Sequence, residues 1–349
     1  MAVDSANKIV AKESVLRHVN WTVSDRNPKL QKMAADLFAD EVEQERFADH
    51  VLKRTPYRPA LIWLDERPAE MPFRLEKKLS WQPDFVDRVK RDQRPGQDDL
   101  HDAGSYYCMA LSSVFESCTF GIVPQNPDLV VDLCAAPGGK SIFANRLLQP
   151  EMILANDIVR KRRGLLISNF KRCRIRPSMI TSQDPRVVAE HCGAAADLVI
   201  VDAPCSGQSL IAKGKQVSSC FHSHIINNNR NRQRRIMANA AKIVKPGGWI
   251  AYFTCTYAEK ENEGIVKWMR VKFPEFENVE IPWLSEFQSH LSEFPCYRLW
   301  PQQGLGPGGF AAMFRRPDER AESWFDPDLL HPSWTSAWQE SLESSQSDS

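Results

Sequence analysis

Between about residues 105 and 254 the chain alternates short apolar runs with longer stretches whose apolar positions recur at helical spacing. The runs are DLVVDL (128–133), MILAND (152–157), PSMITS (177–182), DLVIVDAP (197–204) and WIAYFT (249–254). Between them lie SIFANRLLQ, GLLISNFKR, PRVVAEHC and QRRIMANAAKIV, each amphipathic or apolar enough to pack on a sheet. This rhythm predicts a parallel sheet wrapped by helices, an α/β doubly wound, Rossmann-like fold. Pro246-Gly247-Gly248 predicts a sharp end to the last helix and a turn into the fifth strand. After about residue 280, CYRLWP and GGFAAMFRR flank a Gly/Pro-rich loop and predict an antiparallel hairpin closing the sheet edge.

Ahead of this region, Met33, Leu37, Val42, Phe47 and Val51 recur at roughly helical spacing between charged positions, predicting one or two amphipathic helices. PALIWLDERP, bounded by prolines, predicts a strand. Residues 1–100 thus read as a small α/β N-terminal domain, 101–318 as the doubly wound domain, and 319–349 as a polar, serine-rich tail expected to be disordered. There is no internal repeat.

Composition narrows the partners. The 349 residues carry 45 Lys+Arg against 44 Asp+Glu, a formal charge of +1, so a polyanion would have to meet a local patch. Nine cysteines, odd in number and scattered, read as reduced thiols. MAVDSANKIV lacks the apolar core of a signal peptide, and no apolar stretch is long enough to span a bilayer. A soluble, cytoplasmic monomer is the expectation.

The stretch VVDLCAAPGGKS ends like a nucleotide phosphate loop. Such a loop needs a glycine five residues before Gly139, and Cys134 stands there, so the chain loses the backbone curl that wraps phosphates. The alternative is a doubly wound cofactor site, which wants an acid at the end of the next strand for ribose hydroxyls. Asp157 occupies that place, and Asp132, Asp184 and Asp202 end three other runs. One Asp after a strand is more often a helix cap, but four in succession favour a ligand. Without G-x-G-x-x-G spacing the better candidate is S-adenosylmethionine. Cys205, in DAPCSG, and Cys255, in TCT, would both sit at the carboxyl edge of central strands.

VDLCAAPGGKS, DAPCSG and TCTYAEKENE, in this order and spacing, resemble the Sun (Nol/Nop/Sun) family of RNA cytosine-5 methyltransferases. The resemblance covers about residues 100 to 316, including GSYYCMALSS and RLWPQQGLGPGGFAAMFRR, and makes 101–318 a methyltransferase catalytic domain. It implies that Cys255 is the nucleophile, that Cys205 assists release, and that Asp202 hydrogen-bonds the ring nitrogen edge of the base. Lys140 would contact the substrate or cofactor pocket. Cys134, Ala135, Ala136, Pro137, Gly138, Gly139 and Lys140, with Asp157, Arg162, Asp184 and Asp202, would surround the cofactor. Chemistry explains the thiols: cytosine carbon 5 becomes nucleophilic once a thiolate adds to carbon 6. Met109-Ala110 departs from the family's usual Gln followed by Asp or Glu, and the family's proline near Lys260 is missing.

Two basic runs suggest phosphate contacts: Arg160-Lys161-Arg162-Arg163 with Lys171, Arg172, Arg174 and Arg176, and Arg230, Arg232, Arg234 and Arg235. The expected partner is RNA, ribosomal ahead of transfer, with no membrane. A noncatalytic RNA-binding assembly factor is the reading from another class. Cys220, His222 and His224 lack the second ligand pair a tetrahedral zinc needs, so no metal is assigned.

Overall fold

The computed structural model describes residues 28–53, 59–214 and 219–336. The first two helices are α1 (Pro28–Leu37) and α2 (Glu41–Leu52), the latter capped by Asp40, whose carboxylate accepts from Val42 N at 3.2 Å. The chain breaks helical phase between them. Leu37, Phe47 and Val51 therefore face inward as expected, while Val42, in the first turn of α2, is 63% exposed.

A three-stranded antiparallel sheet follows, built from β1 (Pro59–Trp63), β2 (Val86–Arg88) and, after the one-turn helix α3 (Asp99–Asp102), β3 (Tyr106–Ala110). Its order is β2-β1-β3, so β3, from beyond residue 100, completes the N-terminal sheet. The expected boundary at 100/101 therefore cuts through a hydrogen-bonded sheet. Period-2 alternation explains the placement. Tyr107 and Met109 join the core shared with the large sheet, and Tyr106 packs with Leu61, Trp63 and Val89 on the other face.

The doubly wound region begins with α4 (Leu111–Ser117), β4 (Leu129–Asp132), α5 (Gly139–Leu148), β5 (Met152–Asn156), α6 (Arg160–Arg172), β6 (Ser178–Thr181), α7 (Pro185–His191), β7 (Cys192–Gly193) and β8 (Ala196–Asp202). It continues through α8 (Ser209–Ala212), α9 (Ser223–Ile243), β9 (Val244–Thr254), α10 (Glu263–Lys272), β10 (Glu277–Val279), β11 (Tyr297–Leu299), β12 (Gly309–Arg315), β13 (Trp324–Phe325) and β14 (Trp334–Thr335). The large sheet has the strand order β10-β12-β9-β8-β4-β5-β6-β14, with β11 also on β12. β4, β5, β6, β8 and β9 are mutually parallel, and each coincides with one of the five expected runs. The chain goes outward from β4 to β6 and returns to β8 on the other side of β4. That reversal makes a switch point, where doubly wound folds bind ligands.

The expected hairpin is present as β11 against β12, with Tyr297 opposite Ala311. Two local expectations shift. Helix α9 already ends at Ile243, and Pro246-Gly247-Gly248 instead forms a bulge in β9, where its register with β8 slips and Gly247 adopts φ +71°. In the stretch expected as a disordered tail, β13 pairs with β7 as a separate two-stranded sheet, where the bare Gly193 backbone leaves room for the Trp324 ring, and β14 adds to the large sheet at its β6 edge. Residues 337–349, including SLESSQSDS, lie outside the described residues.

Candidate active site

The turn after β4 is tied at both ends to one carboxylate. Wholly buried Asp132 accepts from Cys134 N at 3.2 Å and from Ser141 Oγ at 2.6 Å, while burial pushes its pKa up to about 7. Asp132 is thus a structural acid. Gly138, at φ +109°, lets the turn approach α6: a Cβ there would lie 3.0 Å from Leu166 and 3.1 Å from Phe170. Gly139 then opens α5, whose first N–H groups have no helical partner.

Asp157 sits one residue beyond β5 and is only 3% exposed. Its carboxylate accepts from Ala136 N at 3.1 Å and Val159 N at 2.9 Å, and pairs with Arg162 at 3.2 Å. Arg162 also donates to Ala136 O, so the two side chains hold the peptides on either side of Ala136. Oδ2 meets both Ala136 N and Arg162, while Oδ1 accepts from Val159 N and keeps acceptor capacity for a ribose hydroxyl. Asp184 is exposed and caps α7, accepting from Arg186 N at 2.9 Å. Asn156 carries no sequence signal, yet it joins three strand ends: it donates to Leu133 O and Gln183 O and accepts from Thr181 Oγ1 and Gln183 N.

The two thiols meet across the ends of β8 and β9, with Sγ atoms 3.4 Å apart. The Cys205 S–H beside its sulfur holds the Cys255 thiol below its ordinary range, against the opposing effect of burial. That same contact, and then burial, push Cys205 well up, so Cys255 is the readier thiolate. Asp202 ends β8 next to them and receives Lys140 Nζ at 2.7 Å. Lys140 is buried; burial opposes its charge, but Asp202 and Glu116 outweigh that and hold the ammonium protonated. Glu116, from α4, was not singled out in the sequence, and its Oε2 lies 2.8 Å from Lys140 Nζ.

A buried polar network fixes the thiol loops. Glu261 accepts from Ser206 N at 3.0 Å, from Ser206 Oγ, and from Gln233 Nε2 at 2.8 Å. Gln208 accepts from Thr256 Oγ1 and from Tyr257 N at 3.1 Å while donating to Ser206 Oγ at 2.8 Å. The neighbours of Cys205 are thereby bonded to the neighbours of Cys255.

The basic runs divide. Arg172 donates to His101 O at 2.6 Å and Arg174 pairs with Asp65 at 2.7 Å, so both hold the N-terminal sheet to the catalytic region. Arg160 and Lys161 on α6, and Arg232 and Arg235 on α9, are exposed. Cys220 is buried and the His222 ring lies 3.0 Å from Lys29 Nζ; among the described residues no three His, Cys, Asp or Glu side chains gather as a metal site. No helix among the described residues is long and apolar enough to cross a membrane.

A small-residue turn after the first strand of a parallel sheet, an acid after the second, and a reversal between β4 and β8 define a Rossmann-like, cofactor-binding fold. Residues 120–315 match the family described as 16S rRNA methyltransferase RsmB/F. The chain belongs to this family of S-adenosylmethionine-dependent methyltransferases. Ribosomal RNA small subunit methyltransferase F of Pectobacterium atrosepticum is 30% identical over 236 residues, 66% of this chain and 49% of that protein. The protein of the same name from Shewanella amazonensis is 28% identical over 243 residues, 68% and 52% of the two chains. The chain thus spans about half the length of these curated relatives. Among solved structures, PH0851 aligns with a TM-score of 0.73 at 25% identity, over 82% of this chain and 65% of its own. NSun6 from Pyrococcus horikoshii, solved with SFG, shares the fold at a TM-score of 0.66 and 19% identity, over 84% of this chain and 99% of its own.

Proposed function

We propose that the protein methylates carbon 5 of a cytosine in RNA, with ribosomal RNA as its substrate, through a covalent adduct on Cys255. The observation that carries this reading is the thiol pair, 3.4 Å apart beside the Asp202 carboxylate at the switch-point edge. Carbon 5 methylation needs a nucleophile that adds and later leaves, a demand that methylation of an exocyclic amine lacks.

The residues around the turn fit the cofactor: Gly138 seats the turn against α6 beside Asp157, whose Oδ1 offers an acceptor to a ribose. When bound, S-adenosylmethionine supplies an electrophilic methyl group. The Cys255 thiolate forms a bond to cytosine carbon 6, and the electron pair of the 5,6 double bond moves into the ring. Asp202 hydrogen-bonds the ring nitrogen edge and favours its protonated form, so the negative charge pushed there on addition is neutralised by a proton that the carboxylate holds in place. Lys140 occupies one Asp202 oxygen and orients the other. Once carbon 5 carries the methyl group, its proton passes to the Cys205 sulfur or a water beside it, the C–H electron pair re-forms the 5,6 double bond, and the carbon 6–sulfur bond breaks to return the Cys255 thiolate, 3.4 Å from Cys205. The target base must be unstacked for its carbon 6 face to be reached, so a loop or a flipped nucleotide is the substrate.

The test uses methyl-labelled S-adenosylmethionine with separated small-subunit rRNA, large-subunit rRNA and tRNA from cells lacking the protein. Labelled 5-methylcytosine should appear in small-subunit rRNA with the wild type and fall to background with Cys255→Ala. Label in tRNA alone would reassign the substrate, and label on another base position would overturn the reaction.

A further inference from the structure

The thiol mechanism uses Asp202, Lys140 and the two cysteines, and leaves unexplained a second acid buried against the same lysine. Glu116 lies in the last turn of α4, is 3% exposed, and has its Oε2 2.8 Å from Lys140 Nζ. Lys140 reaches Asp202 at 2.7 Å with the same nitrogen, and the Phe253 ring lies 5.2 Å from that nitrogen. Lys140 is therefore held between two carboxyl groups over an aromatic face. The fit on the other side of Glu116 is equally close: a Cβ on Gly309 would fall 2.3 Å from Glu116 Oε1, so the carboxyl rests directly on the backbone of β12.

Charge gives this packing a consequence. With Lys140 charged and both acids ionised, the cluster carries one net negative charge beside the Cys255 sulfur, which must itself become negative to react. With Glu116 neutral the cluster sums to zero, and the neutral carboxyl oxygen still accepts from the ammonium. We propose that Glu116 is a positioning residue of the reaction: it holds Lys140 against Asp202 while carrying the proton that keeps extra charge away from the Cys255 thiolate. This inference rests on the proposed carbon 5 chemistry and assigns a further residue to it.

The surroundings support the neutral form. Burial, opposed by Lys140 and assisted by Asp202 and Cys255, pushes the Glu116 carboxyl up to about 8. Those three groups face it from α5, β8 and the segment after β9; β12 presents the Gly309 backbone, and Tyr107 on β3 stays neutral because burial pushes its phenol up to about 12. Below that range Glu116 is neutral and the thiolate is favoured. Above it, the ionised carboxylate both competes with Asp202 for Lys140 and repels the sulfur.

The experiment measures the single-turnover rate of 5-methylcytosine formation on small-subunit rRNA from pH 6 to 9.5 for wild type, Glu116→Gln and Glu116→Ala. Wild type should lose rate on the alkaline side, and the ratio of Glu116→Gln to wild type should rise about tenfold between pH 7 and pH 9, as a group near 8 ionises. Glu116→Ala, which cannot hold Lys140, should fall below Glu116→Gln at every pH while binding S-adenosylmethionine with unchanged affinity. A flat ratio across pH, or equal rates for the two variants, overturns the role of Glu116. Absence of 5-methylcytosine with the wild type is a different result, and overturns the underlying reaction instead.

Discussion

Two acids that follow strands in the sequence do unlike work at the residue scale. Asp157 is buried against the Gly-Gly turn with Arg162 as its partner, whereas Asp184 is exposed and caps α7. Charge-assisted hydrogen bonds contribute about 1.5–3 kcal/mol each, so Asp157→Ala should weaken S-adenosylmethionine binding about 10- to 100-fold by calorimetry. Asp184→Ala should cost about 1 kcal/mol of stability and change that affinity less than threefold. Asp157, Cys205 and Cys255 were legible because each stands at a strand end in a recognisable motif. Glu116 was not, since a Glu on a helix of about two turns reads as solvated. Only the crossing of α4 over the sheet edge brings it to Lys140.

Elements matter here through what ties their ends together. The loops after β8 and β9 carry one thiol each, and Glu261 joins them by accepting three hydrogen bonds from Ser206 and Gln233. Glu261→Ala strands those buried donors and should lower stability by about 3 kcal/mol in urea titrations. It should also slow adduct formation at least tenfold under conditions where the variant remains folded; an undiminished rate would separate the clamp from the chemistry. The five parallel strands were legible because strands buried on both faces are written as continuous apolar runs. The bulge at Pro246-Gly247-Gly248 was not, because a Pro-Gly-Gly sequence breaks a helix and kinks a strand equally well.

On the scale of the whole molecule, the N-terminal sheet and the catalytic sheet share one core: Ile62, Val86, Tyr107 and Met109 pack in the same cluster as Phe143 and Phe253. Calorimetry should therefore record one cooperative unfolding transition, and two resolved transitions would restore the boundary near residue 100. Helices α1 and α2 add a satellite core whose Phe47 meets Tyr257 edge-on at 5.0 Å, two residues from Cys255. This coupling was invisible in the sequence because the segments are some two hundred residues apart. In the proposed reaction the two thiols have separate duties, Cys255 to attack and Cys205 to assist release. The most direct measurement is denaturing electrophoresis of Cys205→Ala, Cys255→Ala and the double variant after incubation with S-adenosylmethionine and small-subunit rRNA. Cys205→Ala should accumulate a covalent protein–RNA band that Cys255→Ala and the double variant lack. A band with Cys255→Ala, or none with Cys205→Ala on an RNA the wild type methylates, would contradict it.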